Sequence, residues 1–332
     1  MFFKNFYERL STRMQYPNED FVKKTFKILL YSNIGAMILF VKYSDSTTKW
    51  KLSISRNLSV LYGKTFRLTI PETWRPSVYG AFSSIFSVDL SEIKKPLHEY
   101  QNLNEFFIRE LKDGVRKIDP GALVSPCDAK VATLGVVGKT LDSIKGSDYD
   151  FTLFLTGGNE FTYETYRNSL KQNTENELYY ITLYLAPGDY HRFHAPADWE
   201  IAYRRHLFGY LCGVFSWNLW RKKTIFTINE RVVYFGKWKY GALHYVAVAA
   251  FNVGDVKVKC DPELMMNVNN FSGPKVKFDQ RELKYKASKG EEFGAFNAGS
   301  TIVLIFEGPK NMKWMVQPGD RVKVGNRIID LE

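Results

Sequence analysis

One apolar run near the C-terminus constrains the fold of this chain more than any other feature. Residues Thr301 to Glu307 read Thr-Ile-Val-Leu-Ile-Phe-Glu. A short apolar and β-branched run of this kind is typical of a buried strand. Gly299 and Ser300 directly precede it. Because glycine allows an unusual φ and a close approach of other groups, we expect the Ser300 hydroxyl to lie beside the Gly299 carbonyl at the mouth of a rigid strand. This geometry suits attack by a side chain on its own backbone.

Composition and charge limit the class of protein. The chain has 332 residues, which is enough for a substantial core in one large or two modest domains. Of these residues 45% are hydrophobic and 16% are aromatic, and this composition argues against disorder. The formal net charge of +11 indicates an acidic partner, either nucleic acid or an anionic membrane, unless the protein is simply basic and soluble. No compact Lys/Arg block or zinc-finger spacing is present, so we predict no nucleic acid partner. The three widely spaced cysteines, Cys127, Cys212 and Cys260, indicate reduced thiols rather than a disulfide framework or metal site.

The order of patterns along the chain predicts an α+β fold, with N-terminal helices followed by a mainly antiparallel, β-rich body. Apolar residues recur at helical spacing in Tyr79–Phe86 and Leu103–Leu111, and Asn102 or Asn104 is the expected N-cap of the second helix. We place a helical part at residues 71–122 and the β-rich body at 123–332, together the domain 71–332. Residues 138–178 are expected to form a long polar connection. Strands are predicted at Lys130–Val137, Tyr179–Ala186, Thr224–Ile228, Val232–Phe235, Leu243–Val253, Val256–Val258 and Thr301–Glu307.

The first 70 residues are predicted to form a separate targeting or anchoring region and a connector. Met1–Met14 is a weak candidate for an amphipathic presequence. Ile28–Val41 is uncharged and lies between Lys27 and Lys42, but it is shorter than the about 20 residues of a typical membrane span. A buried core helix and a marginal membrane anchor are both open for this segment, and the flanking lysines favour the anchor.

Three short segments carry residues suited to catalysis. Asp128 follows Ser125-Pro126-Cys127 and would, alone, be read as a turn residue. His191 and His194 lie three residues apart after a strand; they suit either turn hydrogen bonds or acid–base work, and further ligands for a metal are lacking. Asp128, a histidine and Ser300 together resemble a nucleophile–base–orienter triad. A conventional serine hydrolase is disfavoured, because no Gly-x-Ser-x-Gly elbow is present and Ser300 precedes a strand.

Taken in order, these three segments resemble those of the phosphatidylserine decarboxylase family, in particular its mitochondrial-type branch. The resemblance runs from about residue 70 to the C-terminus and includes further blocks. These are Tyr100–Phe107, Asn229–Val233, Val248–Gly254 and Phe296–Leu331.

The resemblance implies that the chain cuts itself between Gly299 and Ser300. His194 would remove the hydroxyl proton of Ser300. Asp128 would orient the imidazole of His194 and favour its positively charged form. Ser300 would become a covalent pyruvoyl group, so that no metal and no diffusible cofactor is required. His191 would serve the decarboxylation step.

The same resemblance implies that a β chain, residues 1–299, and an α chain, residues 300–332, stay associated through the buried strand. The substrate would be phosphatidylserine in a membrane, decarboxylated to phosphatidylethanolamine with the pyruvoyl ketone as electron sink. The location would be the mitochondrial inner membrane; association into a homo-oligomer is left open. The pairs Phe106-Phe107 and Trp217/Trp220 are candidates either for membrane contacts or for core packing.

Two positions depart from the family pattern. Ala129 stands where the family usually has glycine, and it would strain the turn after Asp128 if that turn needs a positive φ. Ala298 stands where a larger aliphatic residue is usual, which would loosen packing beside the scissile bond. These changes keep one alternative open, an uncleaved, non-enzymatic relative that binds anionic lipid.

Overall fold

The computed structural model describes residues 63–141, 149–158, 161–211, 225–249, 256–266, 278–297 and 301–330, together with Lys24. The helices are α1 (Arg75–Phe86), α2 (Leu103–Phe107), α3 (Phe151–Thr156), α4 (Tyr163–Leu170) and α5 (Ile225–Ile228), with short 3-10 turns at Glu72–Trp74 and Leu97–Glu99. The strands are β1 (Leu123–Val124), β2 (Ala129–Val136), β3 (Thr140–Leu141), β4 (Tyr149–Asp150), β5 (Glu177–Tyr184), β6 (Arg192–His194), β7 (Trp199–Leu207), β8 (Arg231–Trp238), β9 (Gly241–Val248), β10 (Val256–Val258), β11 (Phe278–Ala287), β12 (Glu292–Phe296), β13 (Thr301–Gly308), β14 (Lys313–Trp314), β15 (Arg321–Val322) and β16 (Arg327–Asp330).

These strands form one large sheet and three small ones, and the predicted α+β class with antiparallel strands is confirmed. The large sheet has the order β11-β7-β8-β9-β13-β5-β2-β15, with antiparallel pairing throughout. The small sheets are β10-β12-β6, β1-β16-β14 and β3-β4. Strand β13 lies inside the large sheet, between β5 and β9.

The apolar run that forms β13 is buried on both faces of the large sheet, as its sequence predicts. All residues of β13 are buried. Ile302, Leu304 and Phe306 belong to one apolar cluster, and Val303 and Ile305 belong to another. Successive side chains of a strand point to opposite faces, so a strand covered on both sides needs an unbroken apolar run.

Different elements cover the two faces. Helices α3 and α4 contribute Phe151, Phe154 and Tyr166 to the cluster that contains Val303. The small sheet that contains β6 and β12 contributes Phe193 and Phe293 to the opposite cluster. The large sheet is therefore the middle layer of the β-rich body.

Helices α1 and α2 form a third apolar cluster. The N-cap of α2 is Asn102, whose side chain accepts a hydrogen bond from the Glu105 backbone N–H at 2.9 Å, as one of the two predicted caps. Tyr79 stacks on Phe106 with ring centroids 4.6 Å apart. Phe106 and Phe107 are buried in this cluster, so the membrane-contact interpretation of this pair is wrong and core packing is its role.

Some predicted elements need correction. Residues 138–178 are not a plain connection, because they contain β3, β4, α3 and α4. The strand predicted at Thr224–Ile228 is wrong in its described part, which is helix α5. The charged strand β11 was not predicted, because its residues lack apolar alternation and most of them are exposed.

The N-terminal predictions are not tested by the structure. Met1–Met14, Ile28–Val41, Trp217 and Trp220 all lie outside the described residues. Within the described part of the chain, no helix has both the length and the apolar character that a bilayer span requires.

Candidate functional site

A tight turn between β5 and β6 leads into the segment of the two candidate histidines. The Asp189 backbone N–H donates to the Ala186 carbonyl at 2.9 Å, and the Asp189 carboxylate accepts from the Ala186 N–H at 2.7 Å. Glycine is required at position 188, because a Cβ there would lie 1.9 Å from the carbonyl oxygen of Phe86 at the end of α1. The turn therefore packs directly on the helical layer and fixes the start of the His191 segment.

The surroundings of His194 favour a neutral imidazole with a defined tautomer. Its Nδ1 lies 2.8 Å from the carbonyl oxygen of Gly290, which can only accept, so Nδ1 carries the proton and Nε2 has the free electron pair. The Tyr190 hydroxyl lies 3.3 Å from Nε2. Burial lowers the pKa of His194, although the Gly290 carbonyl and the charges of Glu292 and Asp128 oppose this effect.

His191 has the same tautomer as His194, and its side chain is more deeply buried. Its Nδ1 lies 2.8 Å from the carbonyl oxygen of Asp189, and its ring packs 3.9 Å from the ring of Phe107, centroid to centroid. The side chain is fully buried, and burial lowers the pKa of His191 to about 3. Its Nε2 is buried without a hydrogen-bond partner among the described residues. This nitrogen is available to a group that the described residues do not supply.

The Asp128 carboxylate is held by a cation and a backbone amide. It accepts from Arg116 Nε at 3.0 Å and Nη2 at 2.5 Å, and from the Val324 N–H at 2.9 Å. Arg116 also forms an ion pair with Glu92 at 2.7 Å. The hydrogen bonds of the His194 ring go to Gly290 and Tyr190, so Asp128 acts on this ring through its charge. Its role as the orienting partner of His194 stays a prediction.

The segments on both sides of Gly299 and Ser300 reach the histidine segment and the large sheet. Gly299 and Ser300 themselves lie outside the described residues. Before them, β12 pairs with β6, placing Glu292 opposite His194, and the Phe296 N–H donates to the His191 carbonyl at 2.9 Å. After them, β13 enters the large sheet. The predicted cleavage site therefore lies in the connection between two sheets.

Metal and thiol groups add nothing to this site in the described part of the chain. No group of three or more His, Cys, Asp or Glu side chains is arranged there to hold a metal ion. Cys127 is buried and Cys260 is half-buried, and neither forms a disulfide. Burial raises the pKa of both thiols, to about 12 for Cys260, so neither is a reactive thiolate.

Comparison with known proteins identifies the family of this chain. The phosphatidylserine decarboxylase family model matches residues 103–330. The chain belongs to the phosphatidylserine decarboxylase family. Membership places it among the decarboxylases.

Similar proteins are found in several organisms. Phosphatidylserine decarboxylase proenzyme 1, mitochondrial, of Toxoplasma gondii is 36% identical over 84% of this chain and 65% of its own length. The mitochondrial phosphatidylserine decarboxylase proenzyme of Cricetulus griseus is 36% identical over 82% of this chain and 71% of its own length. A phosphatidylserine decarboxylase proenzyme of Plasmodium falciparum is 33% identical over 84% of this chain and 77% of its own length. The matched part of the chain thus spans slightly less than two thirds of the Toxoplasma relative.

The structure explains why Ala129, one of the two departures from the family pattern, is tolerated. Ala129 is the first residue of β2, and the described non-glycine residues with positive φ are Ser87 and Lys284. The turn after Asp128 therefore does not need glycine at position 129, and the expected strain is absent. Ala298 lies outside the described residues.

Sequence reasoning missed four residues around the histidines of this decarboxylase. Arg116 binds Asp128, Gly290 orients His194 and Tyr190 contacts its free nitrogen, as described above. Arg109 donates to the carbonyls that shape the turn before His191. Tyr190 lies next to His191 in the sequence, so its position could have indicated a role in the site. The other three residues have no feature in the sequence around them that indicates such a role.

Proposed function

We propose that this chain cuts itself between Gly299 and Ser300 and then decarboxylates phosphatidylserine to phosphatidylethanolamine. The observation that supports this most is the contact between β12 and β6. It links the strand before the proposed cut to the segment that carries both histidines. Family membership and the proenzyme names of the relatives support the same conclusion.

The self-cleavage would proceed as an ester rearrangement followed by elimination. The Ser300 hydroxyl oxygen bonds to the Gly299 carbonyl carbon, and the C–N bond breaks to give an ester and a free amine. Neutral His194 takes the hydroxyl proton at Nε2 and returns it to the amine nitrogen. Loss of the Ser300 Cα proton expels the Gly299 carboxylate. The remaining dehydroalanine takes up one water and releases ammonia, which leaves a pyruvoyl group at residue 300.

Two unsatisfied polar atoms among the described residues support such a group. The hydroxyl of Thr301 and Nε2 of His191 are both buried without a hydrogen-bond partner among the described residues. Unsatisfied polar atoms in a protein interior are costly unless a ligand or a later state supplies partners. A pyruvoyl group, when formed, supplies an electron sink for the carbanion left by decarboxylation. Neutral His191 can take a proton from the substrate ammonium at Nε2 and return it to carbon after CO2 has left.

The sheets would keep the two chains together after the cut. Strand β13 of the α chain is hydrogen-bonded to β5 on one side and to β9 on the other, β15 pairs with β2, and β16 pairs with β1. All of these partners belong to the β chain. The retained contact is therefore a shared sheet and needs no covalent link.

The proposed location is the mitochondrial inner membrane. Several relatives are named mitochondrial. The net charge of +11 favours contact with an anionic lipid surface that contains the substrate.

Intact-mass analysis of the purified chain tests the proposal. We expect a large fragment ending at Gly299 and a fragment of 33 residues, 332 − 299, blocked by pyruvate. Ser300→Ala should give one uncut, inactive chain, whereas the control Ser288→Ala, at an exposed turn, should be cut normally. An unbroken wild-type chain without phosphatidylserine decarboxylation would favour the lipid-binding alternative, and labelling of Ser300 in an uncut chain by a fluorophosphonate would favour a serine hydrolase.

The two histidines should separate the two reactions. His194→Ala should remain uncut, because the base for the Ser300 hydroxyl is lost. His191→Ala should be cut but should lose decarboxylation. The control His98→Ala, at an exposed position outside the site, should behave as wild type. An uncut His191→Ala chain would contradict this division of roles.

A further inference from the structure

Arg116 lies at the centre of a charged cluster near the histidine segment. It is in the connection between α2 and β1, and its side chain is 10% exposed. Its Nε and Nη2 donate to the two carboxylate oxygens of Asp128, and Nη2 also donates to Glu92 at 2.7 Å. A guanidinium that donates to both oxygens of a carboxylate fixes the position and the plane of that carboxylate. The orientation of Asp128 therefore depends on Arg116.

The same guanidinium contacts the ring of Tyr190. Its central carbon lies 6.0 Å from the centroid of this ring, which is the distance of a cation–π contact. The Tyr190 ring lies 5.8 Å from the His194 ring, centroid to centroid, and its hydroxyl lies 3.3 Å from Nε2. Tyr190 is thus a neighbour of both Arg116 and His194.

Two groups that contact Arg116 also act on His194. Tyr190 acts through its hydroxyl, and the charge of Asp128 raises the pKa of His194 against the effect of burial. The other charges that act on this ring are those of Glu292 and Lys259, which pair with each other at 3.2 Å. Asp128 and Tyr190 are therefore the routes by which Arg116 can influence the base.

Two consecutive residues of the C-terminal segment complete the cluster. The Val324 N–H donates to Asp128 at 2.9 Å, and Nζ of Lys323 donates to Glu92 at 2.7 Å. Arg116 and Lys323 supply two positive charges, and the two carboxylates supply two negative charges, so these four side chains carry no net charge together. Loss of either Arg116 or one carboxylate would leave one charge in excess, and an excess charge in a partly buried place shifts the pKa of a nearby imidazole.

We propose that Arg116 is a positioning residue for self-cleavage, which acts on His194 through the two neighbours that they share. The inference rests on the proposed function, because His194 is the base of the proposed cleavage. Arg116 balances the charge of Asp128, so that the imidazole stays neutral and can accept the proton of Ser300. It also holds the Tyr190 ring in contact with the imidazole, which keeps the reactive nitrogen in one orientation.

The test compares Arg116→Gln and Arg116→Lys with wild type in self-cleavage at a series of pH values. In Arg116→Gln the charge of Asp128 is unbalanced, so the pKa of His194 should rise and the acid limb should move to higher pH by about 0.5–1 unit. Arg116→Lys keeps the charge, so its acid limb should move less. Neither side chain can hold both oxygens of Asp128 as arginine does, so the plateau rate should fall roughly three- to tenfold in both variants.

Glu92→Gln provides a test of opposite sign and covers the case that Arg116 variants do not fold. It keeps the pair of Arg116 and Asp128 but leaves one positive charge in excess. The acid limb should therefore move to lower pH. The control is Arg167→Gln, which also loses a partly buried ion pair, with Glu177, but lies in α4 on the other face of the large sheet. This control should leave the acid limb in place.

NMR titration of the His194 ring in the uncut Ser300→Ala chain gives a second readout that does not need cleavage. Adding Arg116→Gln should raise the pKa of this ring by about 0.5–1 unit, and adding Glu92→Gln should lower it. An unchanged pKa, or a lower cleavage rate without movement of the acid limb, would show that Arg116 only supports the fold and would overturn the proposal. A wild-type chain that stays uncut would refute the proposed function instead, whereas the titration would still decide the role of Arg116.

Discussion

The contact between Tyr190 and His194 gives a prediction that depends on one hydrogen atom. Because Nδ1 of His194 donates to Gly290, Nε2 is the acceptor and the Tyr190 hydroxyl is the donor, at 3.3 Å. This bond stabilises the neutral imidazole and occupies the electron pair that the proposed base needs. The substitution Tyr190→Phe removes the hydroxyl and keeps the ring, which is only 6% exposed and remains packed.

The expected size of the effect follows from the length of the bond. A neutral hydrogen bond contributes about 0.5–1.5 kcal/mol, and one of 3.3 Å belongs to the lower half of that range, about 0.5–1 kcal/mol. Since one pKa unit corresponds to about 1.4 kcal/mol, the pKa of His194 should rise by about 0.4–0.7. The neutral ring is the reactive form, so the acid limb of the self-cleavage profile should move to higher pH by the same amount. The plateau should not fall, because Nε2 is freed.

The assay follows the appearance of the 33-residue fragment from chain made by cell-free translation and shifted to a series of pH values. The matched control is Tyr79→Phe, which removes a buried hydroxyl that donates to the Tyr100 carbonyl at 2.8 Å in the helical cluster. This control should leave the profile unchanged. An acid limb that stays in place in Tyr190→Phe, or moves to lower pH, would refute the assigned tautomer of His194.

Two further predictions concern stability. Gly188→Ala should destabilise the protein by about 1–3 kcal/mol or more in thermal unfolding, because the new Cβ would meet the Phe86 carbonyl. The control Gly80→Ala in α1, where a Cβ has open space around it, should stabilise the protein by up to about 1 kcal/mol. Equal effects of the two substitutions would contradict the close approach of Gly188 to Phe86. Stability should fall as pH decreases below about 6.5, by up to about 1.4 kcal/mol per pH unit for each of His191 and His244, because burial lowers their pKa in the folded state to about 3 and about 4 while the unfolded chain binds the protons. Denaturant unfolding at several pH values measures this slope, and a flat profile between pH 5 and 7 would show that these rings are not held neutral.

The parts of the fold that the sequence predicts are those whose signal is local. The apolar run of β13 and the cap Asn102 are recognisable within a few residues, and the structure confirms both. Strand β11 could not be predicted in this way. Its residues are charged and mostly exposed, and its partner is the edge of the large sheet at β7. Helix α3 could not be predicted either, because its six residues are too few to show the repeat of apolar residues that indicates a helix.

The same distinction holds for the candidate site. The two histidines are recognisable from their spacing and their place after a strand. The acceptor that fixes the tautomer of His194 is a backbone carbonyl 96 residues away, in a turn where Gly290 has a φ of 83°. Arg109 likewise acts through the carbonyls of a turn some 80 residues later in the chain. Apart from its side chain, every residue looks alike to a sequence pattern, and a backbone carbonyl therefore has no sequence signal. These hydrogen-bond partners could be identified only from the folded structure.

The position of the proposed cut explains how a folded protein could lose a covalent bond without losing its structure. Strand β12 belongs to the small sheet with the histidine strand β6, and β13 belongs to the large sheet. The connection between them carries no strand pairing of its own in the described residues, so a break there leaves every described ladder intact. Asp128 adds a tie across the two chains, because it accepts from the Val324 N–H on the C-terminal side. A cut inside β12 or β13 would instead expose unpaired backbone groups in the core, at several kcal/mol for each group. A cut in the connection that contains the Gly-Ser pair is therefore compatible with the described sheets.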